Sequence, residues 1–323
     1  MYASYAHTKY ALRAGAKEPN AVIQVDNLTK TYGSTTAVRG LSFAVQRGEI
    51  FGIVGPNGAG KTTTMECLAG LRRADSGRLS VLGLDPARQE RELRKHLGVQ
   101  LQQAALPEDL KVWEALDLFA TIYHRPDGWQ KLMKTWGLEE KRNARFGTLS
   151  GGQKQRLFIA LSLVNDPELV FLDEITTGLD PQARRGTWDL IEKLREHGKT
   201  VVLITHYMDE AERLCDRVAV IDHGRLVALD TPAALIQNLH AETRIIFSAD
   251  QRESYAWLKD VPGVSAVTRP GGNGNVVVTG SGPVLARVAT ALADHDIVPG
   301  DLRSQQATLE DVFLTLTGSE IRD

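Results

Sequence analysis

Apolar residues in this chain fall into short, separated runs rather than one long one. Val22-Ile23-Gln24-Val25 and Leu41-Ser42-Phe43-Ala44-Val45 read as strands, the second alternating as a half-buried strand should. Ile50-Phe51-Gly52-Ile53-Val54, Leu169-Val170-Phe171-Leu172 and Val201-Val202-Leu203-Ile204 are apolar almost throughout, as expected of strands covered on both faces. Helical spacing lies between them, most clearly over Gln153–Val164 and Gln182–Glu196. Strands alternating with helices predict an α/β domain with a mainly parallel sheet. The stretch from Trp113 to Phe146 differs: it is rich in aromatic residues and reads as a helical insert.

After Thr231-Pro232 the texture changes again. The pattern predicts a strand at Arg244–Phe247, a helix at Gln251–Lys259, strands at Val264–Thr268 and Asn275–Thr279, a helix at Val284–Asp294 and a strand at Ile297–Ser304. That order is the split βαβ arrangement, so a small ferredoxin-like α+β accessory domain is expected, closed by a helix at Leu309–Leu316. The expected organisation is a flexible extension over 1–20, a main domain over 21–238 with its helical insert at about 103–148, and an accessory domain over 239–323.

Composition narrows the function classes. Hydrophobic residues make up 42% of the 323 and charged residues 24%, an ordinary globular balance. Thirty-eight Lys and Arg against 40 Asp and Glu leave a net charge of -2, so there is no basic excess to neutralise a nucleic-acid backbone, and no nucleic-acid partner is expected. Two cysteines, Cys67 and Cys215, make neither a disulfide framework nor a metal-ligand pattern, which suits a reducing cytoplasmic setting. No stretch approaches the ~18 apolar residues of a membrane span. The first twenty residues lack the apolar core of a secretory signal.

The chemistry concentrates in two places. Gly55-Pro56-Asn57-Gly58-Ala59-Gly60-Lys61-Thr62, with Thr63 beside it, follows a buried strand and opens a helix, which is the context a phosphate-binding loop requires. Glycines let backbone N–H groups turn toward phosphate oxygens, and the helix N-terminus adds its positive dipole end. Lys61 can reach the β- and γ-phosphates, and the Thr62 hydroxyl suits Mg2+. A Gly-rich turn that merely precedes a helix is the bland alternative, and the terminal Lys-Thr argues against it. Downstream, Leu149-Ser150-Gly151-Gly152-Gln153 makes a second exposed helix N-terminus. One nucleotide needs one phosphate cradle per chain, so a second cradle suggests a site shared between two chains.

With these residues the sequence resembles the ABC-transporter ATPases, whose signature motif is this pentapeptide. The resemblance implies a P-loop NTPase core with a helical subdomain, binding ATP and Mg2+. Leu169–Glu174 then reads as an apolar strand ending in two carboxylates, Asp173 for the Mg2+ shell and Glu174 as the general base toward the attacking water. Gly178-Leu179-Asp180 resembles the loop that crosses the dimer interface, and His206 the switch histidine that contacts the γ-phosphate. Tyr32 matches the aromatic residue that stacks on adenine. Gln102 takes the role of Mg2+ and water contact, with Gln100 and Gln103 open as alternatives. Ile175 stands where the family usually has proline, which implies slower or unchanged hydrolysis rather than its loss.

The resemblance further implies a head-to-tail homodimer and a separately encoded integral membrane permease, which docks at the insert near Trp113 and Phe119. It would hold the chain at the cytoplasmic face of the membrane. The tail Leu309-Glu310-Asp311-Val312-Phe313-Leu314-Thr315-Leu316-Thr317-Gly318 and the run Asp173–Pro181 resemble daunorubicin-resistance-type drug-export ATPases, implying export of a drug-like or other hydrophobic compound. Three alternatives stay open: a soluble ABC ATPase acting on nucleic acid or ribosomes, an importer ATPase, and a non-catalytic regulator that keeps the fold.

Overall fold

The computed structural model describes residues 20–125, 128–239, 242–249, 254–269 and 274–318. The expected N-terminal extension lies, but for Asn20, outside the described residues. The chain folds as two compact units, divided in sequence after Pro232, with the last residues from Leu316 grouped with the first unit.

The first unit holds two sheets. β1 (Ala21–Tyr32), β2 (Thr35–Gln46) and β4 (Ser76–Val81) pair antiparallel in the order β2-β1-β4. β3 (Ile50–Val54), β5 (Leu97–Gln100), β6 (Leu169–Asp173), β7 (Thr200–Thr205), β8 (Arg217–Asp222) and β9 (Arg225–Asp230) form the second sheet, in the order β5-β6-β7-β3-β8-β9. Its strands are parallel through β8, and β9 closes the edge antiparallel. Every residue of β3, β6 and β7 is buried, which is why these strands read as unbroken apolar runs. Ile23, Leu28, Leu41 and Phe43 of the antiparallel sheet share one core with Phe51, Ile53, Phe171, Val202 and Ile204 of the parallel one. The Phe43 and Phe51 rings stack across it at 5.5 Å.

Helices join the strands: α1 (Lys61–Leu68), α2 (Glu90–Leu93), α3 (Val112–Ile122), α4 (Trp129–Thr135), α5 (Gly151–Ser162), α6 (Pro181–Glu196) and α7 (Met208–Leu214). The aromatic insert between β5 and β6 holds α3, α4 and two 3-10 turns, and Trp113 packs against Trp129 inside it. Register then decides where the site lies. Val54 pairs with Thr205 and Asp173 with Ile204, so β3, β6 and β7 end side by side. The phosphate loop, Glu174 and His206 therefore all leave the sheet at its carboxyl edge, where ligands bind in open parallel sheets.

The second unit carries β10 (Thr243–Ser248), β11 (Val264–Thr268), β12 (Asn275–Gly280) and β13 (Arg303–Gln305) in the order β11-β12-β10-β13, every neighbour antiparallel. This is the strand order of a split βαβ fold. α8 (Pro232–Asn238) begins at the division, and α10 (Leu309–Thr317) ends the described chain. α9 (Val284–Asp294) lays Val284, Val288 and Leu292, spaced by four, over Ile245, Phe247, Val276 and Val278.

Two elements differ from the pattern's expectation. Of the helix expected at Gln251–Lys259, residues 251–253 lie outside the described residues, and the rest shows a 3-10 turn at Ala256–Asp260. The last strand is three residues rather than the run Ile297–Ser304, because Pro299-Gly300 interrupts it and leaves Val298 86% exposed.

Candidate active site

The phosphate loop is shaped by backbone that only glycine tolerates. Gly55 has φ +154, and a Cβ there would stand 2.0 Å from the Ile221 carbonyl oxygen. Gly60 has φ +98, with a Cβ 2.3 Å from the Ala37 oxygen. Gly58 instead turns at φ +81 into open space, leaving the mouth of the loop clear. Ala59 N–H closes the turn onto the Pro56 oxygen at 3.1 Å, while Asn57 is exposed on it.

Lys61, the first residue of α1, is buried, and its ammonium donates to the Gly55 and Pro56 oxygens at 2.9 and 3.1 Å. Burial pulls its pKa down, and Glu174 and Asp173 pull it partly back. Thr62 Oγ1 donates to Asp173 Oδ2 at 3.1 Å. Thr63 follows on the same helix, half-buried. Asp173 is 1% exposed, and its Oδ1 has no hydrogen-bond partner. Burial pushes its pKa from 3.8 to about 6, against the Thr62 hydrogen bond and with the help of nearby Glu174.

Glu174 stands at the centre. Its φ of +49 is left-handed, a strained value for a side chain of this size, and its N–H is fixed on the Ile204 oxygen at 2.9 Å. Gln102 Nε2 donates to its Oε2 at 2.8 Å, His206 Nδ1 lies 3.3 Å from Oε1, and Lys61 Nζ lies 3.5 Å from the same atom. Of the three glutamines left open by sequence, Gln102 is the one that touches Glu174. Gln100 is buried at the end of β5, and Gln103 lines a groove beside the insert. Ile175, where the family usually has proline, is 3% exposed and holds its place by packing.

Lys61, Thr62, Gln102, Asp173, Glu174 and His206 thus meet in one place. The other expected residues occupy separate surfaces. Tyr32 ends β1, 39% exposed, with the Arg72 guanidinium 5.2 Å and the Lys30 ammonium 5.5 Å from its ring centre. Leu149 is buried, and Ser150 caps α5 in a capping box: Gln153 N–H donates to Ser150 Oγ at 3.4 Å, and Ser150 N–H to Gln153 Oε1 at 3.0 Å. Gly151 is exposed there, and a Cβ on Gly152 would approach Ala183 Cβ to 3.1 Å. Asp180 Oδ1 caps α6 by accepting from Gln182 and Ala183 N–H, each at 2.9 Å.

The ABC transporter family pattern matches residues 38–177, from within β2 to just past Glu174. The Nod factor export ATP-binding protein I of Paraburkholderia xenovorans (strain LB400) is 40% identical over 316 residues, covering 94% of this chain and 100% of that one. The chain belongs to the ATP-binding subunits of ABC transporters. It is accordingly an ATPase of the P-loop NTPase fold.

Solved cassettes agree. The ATP-binding cassette MJ0796, in a dimeric post-hydrolysis state bound to ADP and Pi, is 28% identical, with a TM-score of 0.59 over 65% of this chain and 98% of that one. A cbiO1 from Clostridium perfringens, part of the ABC transporter complex cbiONQ, is 27% identical with a TM-score of 0.59, over 68% and 95%. No described helix is long and apolar enough to cross a membrane.

One residue of this ATPase escaped sequence reasoning. Glu210, in α7, is fully buried among Met208, Ala211 and Leu214. The available signal was its spacing: a carboxylate four residues before Leu214 sits on the apolar stripe of its helix.

Proposed function

We propose that two copies pair head to tail and hydrolyse ATP between them, with Lys61 and Thr62 of one copy and Ser150 and Gly152 of the other holding one nucleotide. What carries this reading is the double contact on Glu174. Gln102 hydrogen-bonds its carboxylate while His206 and Lys61 stand beside it, and the Ser150–Gly151 helix end, an anion-binding surface, is presented outward elsewhere on the chain. Glu174 acts as general base toward water, His206 contacts the γ-phosphate, Tyr32 stacks on adenine, and Asp180 lies in the pairing surface. Exchange of Arg72 for a base on the Tyr32 ring accounts for that ring's exposure.

The donor set fits Mg2+. Asp173 Oδ1 is a sealed carboxylate oxygen with no hydrogen-bond partner, burial raises its pKa, and Thr62 adds a hydroxyl beside it, all hard oxygens. Thr62, Asp173 and Gln102 would hold the ion, which when bound screens phosphate charge.

A permease is the proposed partner, and the insert is its dock. A groove of about 520 Å3 runs between β5 and the insert, lined by Leu101, Gln103, Phe119 and Tyr123. Leu118 and Ile122 stand 50% and 60% exposed on the same helix, α3. Trp113 instead packs into the insert's own interior. On this reading the chain sits at the cytoplasmic face of a membrane through its partner. The names of the relatives favour export over import, and their cargo, Nod factor, stands beside the drug-like class suggested by the C-terminal tail. Size-exclusion chromatography with light scattering tests the pairing: Glu174→Gln should run as a dimer in ATP and a monomer without it. A monomer at saturating ATP would end the head-to-tail reading.

A further inference from the structure

Behind the site lies a second polar cluster that the reading above does not use. Glu210 has no solvent exposure, and neither does Thr205, while Thr176 is 2% exposed. The indole N–H of Trp188, on α6, donates to Glu210 Oε1 at 2.9 Å. Burial pushes the Glu210 pKa up, and the hydroxyls of Thr205 and Thr176, the Trp188 indole and the Arg184 guanidinium each pull it back. Thr205 Oγ1 also accepts the Tyr207 N–H at 3.0 Å. Thr176 Oγ1 and Glu210 Oε2 are both sealed from solvent, yet neither reaches hydrogen-bond geometry with any partner.

The connections matter because of where the threonines sit. Thr176 is two residues beyond Glu174, in the turn closed by Thr177 N–H on the Glu174 oxygen at 3.2 Å. Thr205 directly precedes His206. Trp188 rides on α6, the helix that Asp180 caps. A single carboxyl therefore faces the segment after the base, the segment before the switch histidine and the helix behind the pairing loop. If the cluster served stability alone, an apolar side chain of similar volume would fill the space without an unmade hydrogen bond.

We propose that Glu210 is a positioning residue for hydrolysis: through Thr176 and Thr205 it holds the turn of Glu174 and the loop of His206 in register, so that base and γ-phosphate contact move together. This rests on the roles given to Glu174 and His206 above. Thr176 Oγ1 and Glu210 Oε2, both sealed and unpaired, are the atoms through which that coupling passes.

The test is steady-state ATPase kinetics on the full chain. Glu210→Ala should lower kcat on the order of tenfold to a hundredfold, the scale of a small misplacement of reacting groups, while KM for ATP stays within about twofold. Glu210→Gln, which keeps an acceptor for Trp188 and a polar group toward Thr176, should restore kcat to within about threefold of the parent, as expected when geometry rather than charge is lost. Thr176→Val, nearly isosteric, keeps the question open should Glu210→Ala fail to fold: it should lower kcat about threefold or more at constant KM, and add nothing further in the Glu210→Ala background. Unchanged kcat in Thr176→Val, or a KM rising in step with the fall in kcat, would overturn the proposal. Full turnover by Glu174→Gln would instead defeat the assignment of the base, a separate result read from a separate protein.

Discussion

The two units of this molecule treat buried polar groups in opposite ways. In the first, side-chain atoms of Gln100, Gln155, Asp173, Thr176, Arg184, His206 and Glu210 are sealed from water without a hydrogen bond, and five of these seven residues lie between the phosphate-side strand end at Asp173 and α7. Among the described residues of the second unit there is no such atom. Its strand β12 alternates buried and half-buried positions, and α9 presents one apolar stripe. The contrast sets a unit whose candidate site leaves buried polar atoms unpaired beside one whose described residues leave none. Unsatisfied buried groups cost stability, and in the first unit Asp173 and His206 carry that cost at the candidate site itself.

Substitutions can break that comparison. The largest effect should follow Glu174→Gln, where loss of the base lowers turnover on the order of a hundredfold to ten-thousandfold with ATP affinity retained, as single-turnover and binding measurements would show. Phe247→Ala acts at the other end of the contrast. Emptying this fully buried site of the second unit should cost roughly 3–5 kcal/mol of that unit's stability by calorimetry while leaving ATP affinity at low temperature unchanged. A loss of affinity there would show that the second unit is not self-contained. Lys61→Ala should weaken ATP binding roughly tenfold to a hundredfold, the range for one hydrogen-bonded charge, by titration calorimetry.

The smallest effect has a definite sign. In the folded, metal-free chain Asp173 keeps its proton up to about pH 6, whereas the unfolded chain releases it near 3.8. The native state thus binds more protons across that window, and this group makes the protein less stable as pH rises through it. Asp173→Asn should therefore raise the stability of the nucleotide-free chain at neutral pH, by at most about 3 kcal/mol, and the gain should vanish below pH 4. Mg2+ with ATP should reverse the order, favouring the parent; thermal melts at pH 4, 6 and 7.5 would follow it.

Local pattern carried the reader a long way into the first unit. A phosphate loop is contiguous, its glycines are demanded by the chain's own backbone, and the buried strands before it and before Asp173 are visible as apolar runs. The second unit was legible more coarsely. Its last strand is cut short at Pro299-Gly300, residues that outweigh the surrounding propensity.

What the sequence alone determined is therefore the chemistry: the phosphate cradle, the carboxylate pair, the signature cap and the α/β alternation that carries them. Each lies within a few consecutive residues and follows from local backbone and side-chain demands. The tertiary structure alone decided which glutamine reaches Glu174, that the ends of β3, β6 and β7 stand in line, and that Glu210 is buried behind the turn of Glu174 and the loop of His206. Those facts depend on strand register and on contacts spanning tens of residues, 72 between Gln102 and Glu174, and no local pattern encodes a distance across the fold.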